Sequence, residues 1–137
     1  MTTRQADDDG SIMLLSLGYA VLAILLILVC VDATSLHLAS KRLDAVADAA
    51  ALAGADGFTL SVDGGEPTAQ LTDAGVHEQA AGIVSAVGTA VLVSAATPDG
   101  VSARVTVSTV WHPPIATLLV PAGVPLESTA TSRTALR

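Results

Sequence analysis

From Ser11 to Val31 the chain reads SIMLLSLGYAVLAILLILVCV, with no charged residue, and then meets Asp32. About 20 helical residues, rising about 1.5 Å each, cross a hydrocarbon core of roughly 30 Å. The run therefore has the length of one membrane crossing, and the lipid bilayer is its expected surrounding. A chain of 137 residues has too small a core to bury so much Leu, Ile and Val. A cleaved secretory signal fits less well. Such signals have a basic leader and an apolar stretch of about 7–15 residues, whereas MTTRQADDDG sets one arginine against three aspartates. The tetrapeptide ILVC has Val29 where a lipoprotein site needs a small residue. The expectation is an uncleaved signal anchor, with a lipidated or cleaved product as the alternative. Charge counting, Arg4 on one side against Lys41 and Arg42 on the other, leans toward a cytoplasmic C-terminus.

Beyond Asp32 the helical pattern does not stop. Leu36, Ala39, Leu43, Val46, Ala50 and Ala53 recur at spacings of three and four. His37, Lys41, Asp44 and Asp48 make a polar stripe, in which Lys41 and Asp44 can pair at i,i+3. The helix is expected to run from Ser11 to about Ala55 and to stop at Gly57 and SVDGGEP. Two uses are open to the small-residue stripe: packing on the domain's own sheet, or contact with neighbouring subunits. A helix of about 45 residues is about 67 Å long, and strands of about 8–10 residues cover only about 25–35 Å. That comparison predicts an apolar stripe at Leu36, Ala39 and Leu43, just above the bilayer, with no partner in its own chain.

After the helix, Thr72 can cap a second one, with Asp73 in its first turn and Val76, Ala80, Ile83, Val84 and Val87 as the apolar face. The period then changes to two. TAVLVSAA and VSARVTVSTVW flank TPDG, which suits a type I turn closed by a left-handed glycine. Val101, Ala103, Val105, Val107 and Trp111 are expected on one face of that hairpin, and Ser102, Arg104, Thr106 and Ser108 on the other. His112-Pro113-Pro114 ends the strand. Ile115 to Val120 is open between a short helix and an apolar loop, and LESTATSRTAL reads as a third strand. The expected class is α+β: one N-terminal transmembrane helix continuing into a long helix, a second helix, and a small three-stranded antiparallel sheet. The expected division is a short cytoplasmic segment (1–10), the span (11–31) and one extracytoplasmic domain (32–137).

The composition excludes several functions. A net charge of -7, with Lys41 the only lysine, does not suit nucleic acid, which needs clustered cations. The single cysteine, Cys30, cannot form a disulfide within the chain. An aromatic content of 2% leaves Ala and Val to supply the core, so the domain is expected to be thin. His37, His77 and His112 lack metal-ligand spacing, and no nucleophile elbow or phosphate loop occurs; Gly64-Gly65 reads as a loop. Asp7 to Asp9 suit the N-terminus of a helix, where the macrodipole favours negative charge. No enzyme, cofactor or metal is expected.

The block from Asp8 to Ala55, with Gly10 before the span, Asp32 after it and RLDAVADAAALAGA from Arg42, resembles the N-terminal region of TadE/TadG-like proteins of the tight-adherence (Flp) pilus assembly system. The resemblance implies a pilin-like build, a cytoplasmic N-terminus, a C-terminal domain outside the membrane, and a structural role without catalysis. The partners it implies are other Tad components, or a second copy met through the long helix. The candidate assembly residues are Gly10, Asp32, Arg42, Leu43 and Asp48 of the resembling block, with Leu36 and Ala39 added from the stripe on the long helix. Prepilin-like members carry a glutamate five residues after the glycine; Leu15 stands there here, so the anchor is expected to keep its span. A membrane-anchored extracytoplasmic binding or regulatory protein unrelated to pili is the alternative.

Overall fold

The computed structural model describes residues 6–63 and 66–133. One helix dominates: α1 runs from Ala6 to Asp56 without a break. It ends where the Gly57 N–H turns back to the Gly54 carbonyl at 3.2 Å. A short antiparallel hairpin follows, β1 (Thr59–Asp63) and β2 (Glu66–Gln70). The sequence reads as a loop here, because both strands are five residues long, Pro67 lies inside the second, and no period-two hydrophobic pattern marks them. The Gly64-Gly65 dipeptide, the side chains of Asp7 to Asp9 and residues 134–136 of the expected last strand lie outside what is described.

Helix α2 (Asp73–Val87) starts as its sequence predicts. Thr72 is extended, and its hydroxyl accepts the Gly75 N–H at 3.2 Å. The helix ends at Gly88, with φ 69°. Val76, Ala80 and Val84 face the core, but Val87 is exposed, one turn too late to reach the sheet.

Strands β3 (Val91–Ala96), β4 (Ser102–Trp111) and β5 (Val124–Arg133) form an antiparallel meander in that order. At Gly100 φ is 75°, the left-handed glycine that TPDG requires. Asp99 organises this turn. Its carboxylate accepts the Val101 and Ser102 N–H groups and the Ser102 hydroxyl, at 3.1, 2.6 and 2.9 Å. The β3–β4 register jumps at Val93, which is left over between the Leu92–Val107 and Ser94–Thr106 pairs. This bulge lets Leu92 and Ala95, three residues apart, face the same side. On β4, Ala103, Val105 and Val107 are fully buried, as the alternation predicts. Ser102 and Thr106 are buried too, although their side chains belong to the opposite face. Thr106 lies in a central strand and bonds the Thr129 hydroxyl on β5 at 2.9 Å, while Ser102 is held by Asp99.

The two helices lie on one face of the meander. The core is built from Leu43, Ala47, Ala50, Ala51 and Ala55 of α1, with Val76, Ala80 and Val84 of α2 and the inner residues of β4 and β5. Val76, Val105 and Val107 are its largest fully buried side chains, so the core is as thin as the composition implies. The layers approach closely at Gly54, where an added Cβ would stand 3.0 Å from Val76 Cγ1 and 3.2 Å from Ala103 Cβ.

Candidate functional site

β4 descends along α1. Ala103 is opposite Gly54 at one end, and the Trp111 indole N–H donates to the Ser35 hydroxyl at 3.1 Å at the other. From Gly54 to Ser35 the helix rises about 28 Å, and from Ala103 to Trp111 a strand covers about 26 Å. The sheet therefore reaches down to the end of the apolar run. The Ile115 N–H then donates to Asp32 Oδ1 at 3.2 Å. No gap is left between sheet and span, which corrects the expectation of an unpartnered stripe. The strands fall short only of the whole helix. Residues 11–31 take about 31 Å of that length, and the part beyond Asp32 is about as long as the strands.

The candidate assembly residues divide accordingly. Leu43 is core, and Leu36 and Ala39 are half-buried against the sheet. Ala47, Ala51 and Ala55 are buried although the sequence stripe omits them, while Ala53 is only half-buried. Gly10, Arg42 and Asp48 are exposed. Asp32 is half-buried and bonded to the β4–β5 connection. Ala39, Arg42 and Leu43 share an open hollow of about 230 Å³ with Val110, Trp111 and His112. Cys30 is exposed on the apolar part of α1.

Asp44 joins helix to sheet. Its carboxylate accepts the Ser128 hydroxyl at 2.8 Å and pairs with Lys41 at 3.0 Å, the i,i+3 pair expected from the spacing. The Ser128 bond, then Lys41, hold its pKa below the ordinary aspartate value. Sequence alone could not find the Ser128 partner, which lies 84 positions away. Among the described residues no group of three or more His, Cys, Asp or Glu is placed to hold a metal ion.

α1 is long and apolar enough to cross a membrane, and its apolar part has no cover among the described residues. An N-terminal helix of that kind, continuing as the spine of a small α+β domain, has the form of a membrane anchor with an attached domain. Residues 10–57 match the family model described as "Putative Flp pilus-assembly TadE/G-like", and this segment of the chain is similar to that family. The matched segment begins at Gly10 and ends one residue beyond α1, so it is almost the helix itself. No curated protein and no solved structure matches the chain.

Proposed function

We propose that this protein is a non-catalytic, single-pass membrane component that helps to assemble a Tad (Flp) type pilus or a related secretion apparatus. Residues 11–31 cross the cytoplasmic membrane, 1–10 remain inside, and 32–137 form the domain outside. The observation that carries this reading is the coincidence of the pilus-assembly family segment, 10–57, with a helix that leaves its apolar run at Asp32 and becomes the spine of the domain. A helix shared in this way couples the position of the domain to that of the anchor, which suits a part that must be held at the membrane while other components dock. With Leu43 committed to the core, Arg42 and Asp48 are the exposed candidate positions left for those partners beyond the span.

Deleting the gene and scoring surface pili tests the role. Pili should be lost and return with the intact chain; unchanged piliation overturns the proposal. Orientation is tested with alkaline phosphatase and green fluorescent protein joined after Arg137. Phosphatase activity without fluorescence is expected, and the reverse would vindicate the charge count.

A further inference from the structure

We propose that the β4–β5 connection is a second membrane contact, its apolar tip from Ile115 to Val120 entering the lipid interface beside the end of the α1 span. The inference rests on the reading that α1 crosses the bilayer. Four observations carry it. The first is position. β4 runs down α1 to Ser35, the Ile115 N–H is bonded to Asp32, and the chain turns upward only at β5. The turn is therefore the part of the domain nearest the membrane.

The second is side-chain chemistry. Leu118 and Leu119 are 95% and 85% exposed, more than any other large apolar side chain among the described residues, those of the span included. No Asp, Glu, Lys or Arg occurs between Arg104 and Glu127. In water these leucines would cost free energy, and lipid at the same height removes that cost.

The third is the backbone. A segment at the lipid interface is helped by satisfying part of its own polar groups. Pro113, Pro114 and Pro121 have no N–H to satisfy. The Ile115 N–H is bonded to Asp32, and those of Leu119 and Val120 to the Ala116 carbonyl at 2.9 and 3.0 Å. The Thr117 hydroxyl donates to the Pro113 carbonyl. The fourth is Trp111, the chain's only tryptophan, which stands at the rim of this loop, at the depth where indoles concentrate in membrane proteins. Two contacts, span and loop, would stop the domain from tilting about α1.

The test places a nitrobenzoxadiazole label on single cysteines in the full chain carrying Cys30→Ser, reconstituted in phosphatidylethanolamine–phosphatidylglycerol vesicles. Leu118→Cys and Leu119→Cys report on the loop, Leu52→Cys on the far end of the domain, and Leu22→Cys on the span. Both loop positions are highly exposed, so neither substitution removes packing. Labels at 118 and 119 should emit to the blue of the label at 52. Lipid-borne nitroxides should quench them several-fold more strongly than they quench that label, and iodide several-fold less. Quenching at 118 and 119 like that at 52 overturns the loop contact, and if the label at 22 lies in lipid the spanning helix survives. A label at 22 open to iodide overturns both. Labels at 118 and 119 shielded from iodide and nitroxide alike would mean that protein covers the loop, and would also overturn the proposal.

Discussion

The Trp111 indole donates to the Ser35 hydroxyl at 3.1 Å, joining the last residue of β4 to a point less than one turn of helix beyond Asp32. The bond fixes the lower end of the sheet against α1. Trp111→Phe keeps the ring and removes the donor. It should cost about 0.5–1.5 kcal/mol, the usual net worth of such a bond. Ser35→Ala should cost a similar amount, and the double variant little more than either, because both remove one interaction. Urea melts of the full chain in mild detergent measure all three. Fully additive losses would mean that the two residues do not act through each other.

At the other end of the sheet the packing is steric. Gly54 lets α1, α2 and β4 meet, with Val76 and Ala103 already within contact distance of the missing Cβ. Gly54→Leu should destabilise the domain by about 1–3 kcal/mol through overpacking, despite leucine's better helix propensity. The same melts check it, and a gain in stability would mean that the layers separate more easily than the distances imply.

The TPDG turn makes a separate demand. Gly100 has φ 75°, and its carbonyl accepts the Leu71 N–H at 2.8 Å while its N–H bonds the Thr97 hydroxyl at 2.9 Å. Gly100→Val cannot hold that backbone without strain and should lose about 1–3 kcal/mol. Pro98 and Asp99 would remain, so the loss would report the backbone angle alone. No change in the melt would argue that the turn readily adopts another form.

Acid should loosen the same turn. The bonds from the Val101 N–H, and then from Ser102, hold Asp99 below the ordinary aspartate pKa. A pKa that is lower in the folded state than in the unfolded one adds stability above the unfolded value. That stability is lost as pH falls through the ordinary carboxylate range to the folded pKa. Asp99→Asn should therefore melt below the wild type near neutral pH, and the two should converge only as acid takes the pH below the depressed folded pKa. A difference that is constant across that range would mean that the charge contributes nothing.

Much of this fold is legible in the chain because local chemistry and burial agree. The uncharged run, the Thr72 cap, TPDG and the alternation from Ala103 to Val107 each produce the element that their pattern predicts. Local patterns do not say which alanines of a small-residue helix turn inward. Leu36, Ala39 and Leu43 read as a stripe, but the sheet and α2 together also bury Ala47, Ala51 and Ala55, a wider face than one helix partner requires. The contacts of Asp32 with Ile115 and of Asp44 with Ser128 depend on strands that return from more than 80 positions away. β1 and β2 are too short and polar for a period to show.

The bulge at Val93 is the feature least visible in sequence, and it makes an unusual prediction. Leu92 pairs with Val107 and Ser94 with Thr106, so Val93 has no partner of its own. Its side chain is exposed. Deleting Val93 would close the ladder into a regular one, with Leu92 and Ala95 still facing the core and Ser94 still facing away. The full chain should keep a cooperative melt and lose no more than about 2 kcal/mol, in the range of ordinary point changes. Deleting Thr106 also removes one strand residue, with the opposite consequence. Everything beyond it in β4 shifts by one, and either Val105 or Val107 must leave the core. That chain should lose its cooperative transition. Proton-detected NMR or urea melts of the two deletions, side by side, read the difference. Equal damage from both would mean that the bulge itself, with the extra twist it gives β3, is required for α2 to pack.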